Sequence, residues 1–240
     1  MNTIKINKGN AQIIAHRGLS GLERENTASA FVAAGNRSYF GIETDVRPTK
    51  DGRFVLLHDN DTVRCGIDNV VPEACTLQTV QSVVLLDMDG KRGRIDLRVP
   101  QLEDYLRICK RYEKVGVLEF KGAYTEEQMA DLMNIVKAEY TLDMMIFISF
   151  HFPNLELCRK VCPEARCQFL TGEYKDETLE LLAEHKMGLD IWSTALDTEE
   201  KVKKVLDMGI ELNVWTVDNK ETAEKLISWG VQYVTSNILE

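Results

Sequence analysis

Two short stretches decide the fold: IIAHRG at residues 13–18 and GIETDV at residues 41–46. Each joins apolar residues typical of a buried strand to charged side chains. In a barrel of parallel strands, the C-terminal ends of the strands form the face that carries the chemistry. The two stretches therefore predict barrel strands with functional side chains at their ends.

Similar β-branched runs alternate with amphipathic segments along the rest of the chain. Strands are predicted at residues 12–15, 41–47, 115–120, 145–149, 166–170, 189–192, 211–216 and 233–235. Helices are predicted between them at residues 28–36, 102–111, 126–139, 154–161, 176–185, 199–208 and 220–229. Eight strands with intervening helices predict an α/β fold, a closed TIM (β/α)8 barrel rather than an open doubly wound sheet.

Length and composition indicate one folded domain. The 240 residues, 44% hydrophobic and 28% charged, can form one sizeable core, and a single α/β barrel needs about that many. We therefore expect a single catalytic domain over residues 1–240. Residues 59–100 break the alternation, with only a short helix predicted around 77–86. Since long irregular segments are usually functional, we expect a small insertion after the second strand, over the barrel mouth.

The net charge of −9 opposes binding to nucleic acid and provides no polybasic surface for anionic lipid. No run approaches the roughly 18 apolar residues of a membrane span, and the first residues lack a secretory pattern. We therefore expect a cytoplasmic protein without stable membrane anchoring, and no particular oligomeric state is predicted. Among the six cysteines, Cys158, Cys162 and Cys167 form one cluster, which suits packing or a soft-metal site.

Three carboxylates converge from two predicted strands. Glu43 and Asp45 face the same side because side chains at i and i+2 share a face, and Glu119 ends another strand. Oxygen ligands of this type hold Mg²⁺ or Ca²⁺ and leave positions for water or a phosphate oxygen. The alternative is that these groups are solvated strand-end charges.

Cations and histidines accompany the carboxylates. Arg17 and Lys121 would bind phosphate, although Lys121 could instead form a surface salt bridge with the carboxylate two residues earlier. His16 and His58 each end an apolar run and suit proton transfer near neutral pH. Arg47 could join the site or cap its strand. These groups together predict a metal-assisted phosphodiesterase.

In order and spacing, the chain's motifs resemble the glycerophosphodiester phosphodiesterase family. The matching motifs are HRG at 16–18, ENT at 25–27, Glu43 with Asp45, KDG at 50–52, HD at 58–59, PQLED at 100–104, LEFK at 118–121, SF at 149–150 and VWTVD at 214–218. The resemblance implies a TIM barrel with a small insertion after the second strand. One departure concerns the last strand, where Ser236 follows Thr235 at a position that is often acidic in the family.

The resemblance also implies an activity: hydrolysis of small glycerophosphodiesters to sn-glycerol 3-phosphate and an alcohol. It implies acid and base roles for His16 and His58, a metal held by Glu43, Asp45 and Glu119, phosphate contacts from Arg17 and Lys121, and apolar walls from Phe150 and Trp215. For Trp215 the alternative is barrel packing.

Two other functions are compatible with the same residues. A lysophospholipase D-like or phosphoinositide-type phosphodiesterase would use the same site with a different substrate. A barrel that binds phosphodiesters without turnover would be expected to lack a catalytic group, whereas both histidines and all three carboxylates are present.

Overall fold

The structure is a computed structural model that describes residues 2–240. Its strands are β1 Gln12–Ala15, β2 Gly41–Pro48, β3 Phe54–Leu56, β4 Val115–Phe120, β5 Met145–Ser149, β6 Cys167–Thr171, β7 Gly188–Trp192, β8 Leu212–Trp215 and β9 Tyr233–Ser236. Its α-helices are α1 Ala28–Gly35, α2 Leu77–Gln81, α3 Leu102–Tyr112, α4 Glu126–Glu139, α5 Phe152–Val161, α6 Asp176–His185, α7 Glu199–Asp207 and α8 Lys220–Ser228.

The parallel strands close into a barrel. Their order is β1-β9-β8-β7-β6-β5-β4-β2, and β1 also pairs with β2, which completes the ring. The predicted TIM barrel is therefore confirmed, with all eight predicted strands and all seven predicted helices present. The antiparallel strand β3, which pairs with the end of β2, was not predicted because three residues are too short to show alternation.

Apolar side chains fill two layers. Inside the barrel, alternate strand residues form one buried cluster: Ile14, Val115, Val117, Ile146, Ile148 and Leu170. The intervening strand residues, such as Ile13 and Phe147, pack against the helices in a larger outer cluster. Because the inner layer is filled, chemistry is confined to the strand ends.

Helix starts follow the capping signals in the sequence. At α4, the Thr125 hydroxyl accepts from the Gln128 backbone N–H at 3.2 Å, and the Gln128 side chain accepts from the Thr125 N–H at 2.9 Å. This capping box satisfies two N–H groups that the helix itself leaves unpaired.

None of the helices in residues 2–240 is long and apolar enough to span a bilayer.

The segment at residues 59–100 has a small core of its own. Cys65, Val80, Val83, Leu85, Leu97 and Val99 pack together with Val55 of β3. The segment is tied to the loop after β1, where Arg94 pairs with Glu23 at 2.6 Å and Arg24 donates to the carbonyl of Leu86 at 2.6 Å. It is thus attached beside β1 and β2.

Gly18, just after β1, allows the chain to turn closely over α1. Its φ is +77°, and a Cβ there would lie 2.7 Å from the carbonyl carbon and the Cβ of Ala30. We expect Gly18→Ala to lower the free energy of unfolding by about 2–4 kcal/mol, since backbone strain and overpacking add. Gly52→Ala is the matched control, because Gly52 has φ +70° but no heavy atom within 4 Å of the added Cβ. Chemical denaturation measures both variants, and equal losses would contradict the steric argument.

Candidate active site

Neighbouring strands bring the three acidic side chains together. Asp45 on β2 pairs with Glu119 on the neighbouring strand β4. Glu43 lies two residues before Asp45 on β2, so its side chain is on the same side of the strand. One oxygen from each of these carboxylates lies within 4.8 Å of the others. All three are buried, with only 4%, 1% and 8% of Glu43, Asp45 and Glu119 exposed. Burial to this degree does not fit solvated strand-end charges.

Two cations complete the charge balance. The backbone N–H of Arg17 donates to Glu43 Oε2 at 2.7 Å, and Arg17 Nε lies 3.6 Å from Asp45 Oδ2. Lys121 Nζ donates to Glu119 Oε1 at 2.8 Å and lies 3.6 Å from Asp45 Oδ1. The Lys121 and Glu119 side chains are 13% and 10% exposed, so their ion pair belongs to the site rather than to the open surface.

The carboxylates titrate differently because their surroundings differ. Burial raises the pKa of Glu43 well above its usual value, and the charges of Asp45 and Glu119 raise it further. Burial, followed by the charge of Asp45, raises the pKa of Glu119 to about 8. Burial also opposes ionisation of Asp45, but Lys121 and Arg17 outweigh it and lower the pKa of this group. The site therefore concentrates negative potential that a cation would neutralise.

The donor set fits a hard divalent cation. Asp45 Oδ1 is buried and has no hydrogen-bond partner among residues 2–240. Its other oxygen, Oδ2, accepts from Asn26 Nδ2 at 2.7 Å, and Thr44 Oγ1 donates to Asn26 Oδ1 at 2.7 Å. Asn26 thus holds Asp45 with one oxygen available to a metal. All-oxygen donors of this kind suit Mg²⁺ or Ca²⁺.

His16 lies at the end of β1, on the same face. Its Nδ1 is 2.8 Å from Asn237 Oδ1, and its Nε2 is 4.0 Å from Glu43 Oε2. Asp218 accepts from Asn237 Nδ2 at 2.6 Å, which turns the amide oxygen towards the imidazole. Since an amide oxygen only accepts, Nδ1 carries the proton and Nε2 is free. Burial, assisted by Arg17, lowers the pKa of His16 to about 4.

His58 has a parallel arrangement with a charged partner. Its Nδ1 lies 2.6 Å from Asp59 Oδ1, so the imidazole donates to a carboxylate and again leaves Nε2 free. Burial lowers the pKa of His58 below its usual value. His16 is therefore neutral near pH 7, burial favours the neutral form of His58, and each imidazole has an Nε2 that can accept a proton.

The predicted site residues share one cavity. Seven of the nine line a cavity of about 70 Å³: His16, Arg17, Glu43, His58, Glu119, Phe150 and Trp215. The other two, Asp45 and Lys121, contact Glu119 or Arg17 directly. A wider groove of about 780 Å³ lies at the opposite end of the barrel and contains none of them.

Aromatic side chains form one wall of this cavity. Phe150 meets Trp215 edge to face, with ring centroids 5.5 Å apart, and Trp192 stacks on Trp215 at 6.2 Å. Trp215 packs on the inner barrel layer and also lines the cavity, so barrel packing and a place in the site are both realised. Phe150 and Trp192 are half exposed at the mouth.

Comparison with known proteins then decides the family. Residues 16–239 match the glycerophosphoryl diester phosphodiesterase family. The chain belongs to that family. It is accordingly an enzyme, a phosphodiesterase, and the resemblance carried by the motifs is confirmed.

Relatives of the phosphodiesterase match it nearly from end to end. A glycerophosphodiester phosphodiesterase of Caldanaerobacter subterraneus subsp. tengcongensis is 28% identical over 239 residues, which cover 94% of this chain and 93% of that protein. A glycerophosphodiester phosphodiesterase of Parabacteroides distasonis has a TM-score of 0.78 and 28% identity, covering 96% of this chain and 94% of its own. An Oleispira antarctica phosphodiesterase solved with its product sn-glycerol-3-phosphate shares the fold, with a TM-score of 0.88 and 23% identity over 98% of this chain and 96% of its own.

Several residues that line or support the phosphodiesterase site were missed from the sequence. Asp190 and Trp192 are two residues apart on β7, so their side chains share one side of the strand. This spacing could have identified them, but a single acid among apolar residues is a weak signal. Asp190 lines the cavity, and its Oδ1 is buried without a partner among the described residues. Asn26 lies within the recognised ENT motif, whereas nothing local marks Asn237.

Arg47 does not join the cluster of Glu43, Asp45 and Glu119. Its guanidinium donates to the carbonyls of Leu57 and His58 at 3.1 and 2.8 Å, and it pairs with Glu73 at 2.9 Å. Arg47 therefore connects the residues that follow β3 to Glu73 in the insertion.

The six cysteines are all free thiols, and Cys158, Cys162 and Cys167 are buried.

Metal binding to the phosphodiesterase is expected to release protons. Because the pKa of Glu119 is about 8 in the metal-free protein, this carboxyl carries a proton at neutral pH that a bound cation would displace. We expect the affinity for Mg²⁺ or Ca²⁺ to rise with pH up to about pH 8, where Glu119 loses its proton, and the raised pKa of Glu43 adds to this dependence. Titration calorimetry in two buffers of different ionisation enthalpy counts the protons released. An affinity independent of pH below that value would contradict the expectation.

The same shift has a stability consequence with a definite sign. The folded pKa of about 8 lies above the ordinary value of 4.5, so the folded state holds the proton more tightly. This contribution to metal-free stability is complete below pH 4.5 and is lost as the pH rises through 8. Saturating metal should remove this part of the pH dependence, which thermal unfolding at several pH values can measure.

Proposed function

We propose that this enzyme hydrolyses glycerophosphodiesters to sn-glycerol 3-phosphate and an alcohol, using a divalent metal held by Glu43, Asp45 and Glu119. The observation that carries the proposal is the meeting of three buried carboxylates with two histidines whose Nε2 atoms are free. The Oleispira antarctica phosphodiesterase of the same fold, solved with sn-glycerol-3-phosphate as its product, supports the choice of product.

Binding of the phosphate falls to the two cations. Arg17 Nε is buried and has no hydrogen-bond partner among residues 2–240, so it is available to a phosphate oxygen. Lys121 lies on the other side of Asp45 and can contact a second oxygen. When bound, the metal would polarise the phosphoryl group and offset the charge that develops in the transition state.

Hydrolysis also requires two proton transfers. One imidazole must accept a proton from the attacking hydroxyl, and the other must donate one to the departing alkoxide. His58 is backed by the Asp59 carboxylate, which stabilises an imidazolium, whereas His16 is backed by the neutral amide of Asn237. We therefore assign the base to neutral His16, whose Nε2 accepts a proton, and the acid to His58 in its imidazolium form, which keeps one proton on Nδ1 against Asp59 and gives the other from Nε2.

Substrate access follows from the elements around the mouth. We propose that residues 1–240 act as a single catalytic domain and that the insertion at residues 59–100 shapes access to it. The aromatic wall of Phe150, Trp192 and Trp215 would contact the apolar parts of the substrate.

One observation favours lysolipids as a second candidate substrate. Six large apolar side chains of the insertion are exposed: Val63, Ile67, Val71, Val84, Met88 and Ile95. Exposed apolar surface can contact acyl chains. The exposed apolar groups therefore keep lysolipids as a second candidate substrate.

A substrate panel tests the proposal directly. Glycerophosphocholine, glycerophosphoethanolamine and detergent-dispersed lysophosphatidylcholine are assayed after chelation and again after addition of Mg²⁺ or Ca²⁺. We expect metal-dependent release of alcohol, fastest from the glycerophosphodiesters. Faster hydrolysis of lysophosphatidylcholine would favour the second candidate, and tight binding without product release would favour a non-catalytic barrel.

A further inference from the structure

Arg64, an arginine of the insertion, holds two carboxylates at once. Its Nη1 and Nη2 donate to the two oxygens of Glu25, both at 2.7 Å. Its Nε donates to Asp59 Oδ2 at 2.6 Å. The planar guanidinium offers five donors in a fixed fork, so one side chain can fix the relative placement of both acids.

Each of these carboxylates also contacts a different active-site residue. Asp59 Oδ1 is 2.6 Å from His58 Nδ1, and Glu25 Oε1 accepts from Arg17 Nη1 at 2.9 Å. The result is a continuous chain of contacts from Arg17 through Glu25, Arg64 and Asp59 to His58, which we call the bridge. It joins the proposed phosphate-binding guanidinium to the proposed general acid through a residue of the insertion.

The two halves of the bridge depend on Arg64 in the middle. Asp59 has a side chain that is 28% exposed, so without Arg64 its carboxylate could turn towards water and leave His58. The hydrogen bond from Arg64 is the largest cause of the lowered pKa of Asp59, which is about 2. This carboxylate therefore stays ionised. Glu25 is similarly shared between two arginines, and losing one would leave Arg17 less firmly oriented.

We propose that Arg64 is a positioning residue for phosphodiester hydrolysis, holding Asp59 against His58 and Glu25 against Arg17. The insertion then contributes to the chemistry as well as to access. This inference rests on the proposed function, because it assumes that His58 transfers a proton and that Arg17 binds phosphate. Orientation by such supporting groups is commonly worth about 10- to 100-fold in activity.

Steady-state kinetics of Arg64→Ala and Arg94→Ala test the bridge. Arg94 is the matched control, since it also lies in the insertion and forms ion pairs, but with Glu23, Asp87 and Asp96. For Arg64→Ala we expect kcat to fall about 10- to 100-fold with little change in melting temperature, and for Arg94→Ala less than about twofold. A raised KM with unchanged kcat would mean that Arg64 binds substrate directly, and would overturn the proposal.

Chemical rescue and a double variant separate positioning from general damage. The Arg64 side chain is 45% exposed, so added guanidinium can reach the vacated position and should restore part of kcat in Arg64→Ala. In Asp59→Asn the carboxylate that orients His58 is already lost. Adding Arg64→Ala to this variant should therefore lower kcat much less than Arg64→Ala lowers it in the wild type. Full additivity of the two losses would overturn the proposal.

A spectroscopic measurement keeps the inference distinguishable from the proposed function. Nitrogen-15 NMR of the imidazole reports whether His58 holds its proton on Nδ1, and needs no turnover. We expect Arg64→Ala to weaken that preference and Arg94→Ala to leave it intact. An unchanged His58 signal would overturn the bridge even in an active enzyme, whereas a changed signal in a protein inactive on every diester would count against the proposed function alone.

Discussion

His58→Ala is expected to lower kcat for glycerophosphocholine by about 100- to 10,000-fold, the usual contribution of a positioned acid or base. In our assignment His58 acts as an imidazolium: Asp59, which accepts from Nδ1, stabilises this form, and the second proton on Nε2 passes to the departing alkoxide. His16→Ala should cause a loss of similar size through the other proton transfer. Steady-state assays with saturating metal measure both variants.

The leaving group distinguishes the two histidines. A glycerophosphodiester whose alcohol is an acidic phenol needs little protonation on departure, so His58→Ala should lose much less activity on it. His16→Ala should lose as much as on glycerophosphocholine, because attack still requires a base. His151→Ala is the control, since His151 is an exposed residue at the start of α5. Equal sensitivity of both histidine variants to the leaving group would reject our assignment of acid and base.

Glu119→Gln is expected to lower kcat/KM by about 1,000-fold, as several kcal/mol of metal-derived stabilisation are lost. The variant removes one of three buried carboxylates and replaces the carboxylate that accepts from Lys121 at 2.8 Å with a neutral amide. Metal affinity, measured by calorimetry, should fall with activity. Glu173→Gln is the control, because Glu173 is exposed and pairs with Lys175.

The stability of the metal-free protein should not follow the loss of activity. Because the pKa of Glu119 is about 8, this carboxyl is already neutral near pH 7 without metal, so replacing it by a neutral amide should not lower the melting temperature as it lowers activity. Added metal should stabilise the wild type strongly and the variant weakly. A variant that binds metal like the wild type yet is inactive would show that Glu119 has another role.

Most of the secondary structure could be predicted because its signals are local. The capping box of Thr125 and Gln128 marked the start of α4, and alternation marked each barrel strand. Helix α5 begins at Phe152, two residues earlier than predicted, because Pro153 is tolerated in the first turn. The predicted short helix at residues 77–86 ends at Gln81, after one turn and a half.

Part of the candidate site could be predicted from residue type and from the alternation of side chains along a strand. Glu43 with Asp45, and Glu119 with Lys121, follow from the spacing of two along a strand. Asn26, Asn237 and Arg64 do not, because their partners Asp45, His16 and Glu25 lie 19, 221 and 39 residues away. Asn237 reaches His16 across 221 residues, which no local pattern reports.

By itself, then, the sequence determined the alternation of strands and helices, the side of each strand on which an acid lies, and the set of motifs that marks the family. Only the tertiary structure decided that Asp45 lies beside Glu119, that Asn237 meets His16, and that Arg64 joins the insertion to His58. The reason is physical. Side-chain direction follows local backbone geometry, whereas burial, pKa and ion pairing depend on the closure of the barrel, which brings β9 beside β1, and on the contacts that hold the insertion against the loop after β1.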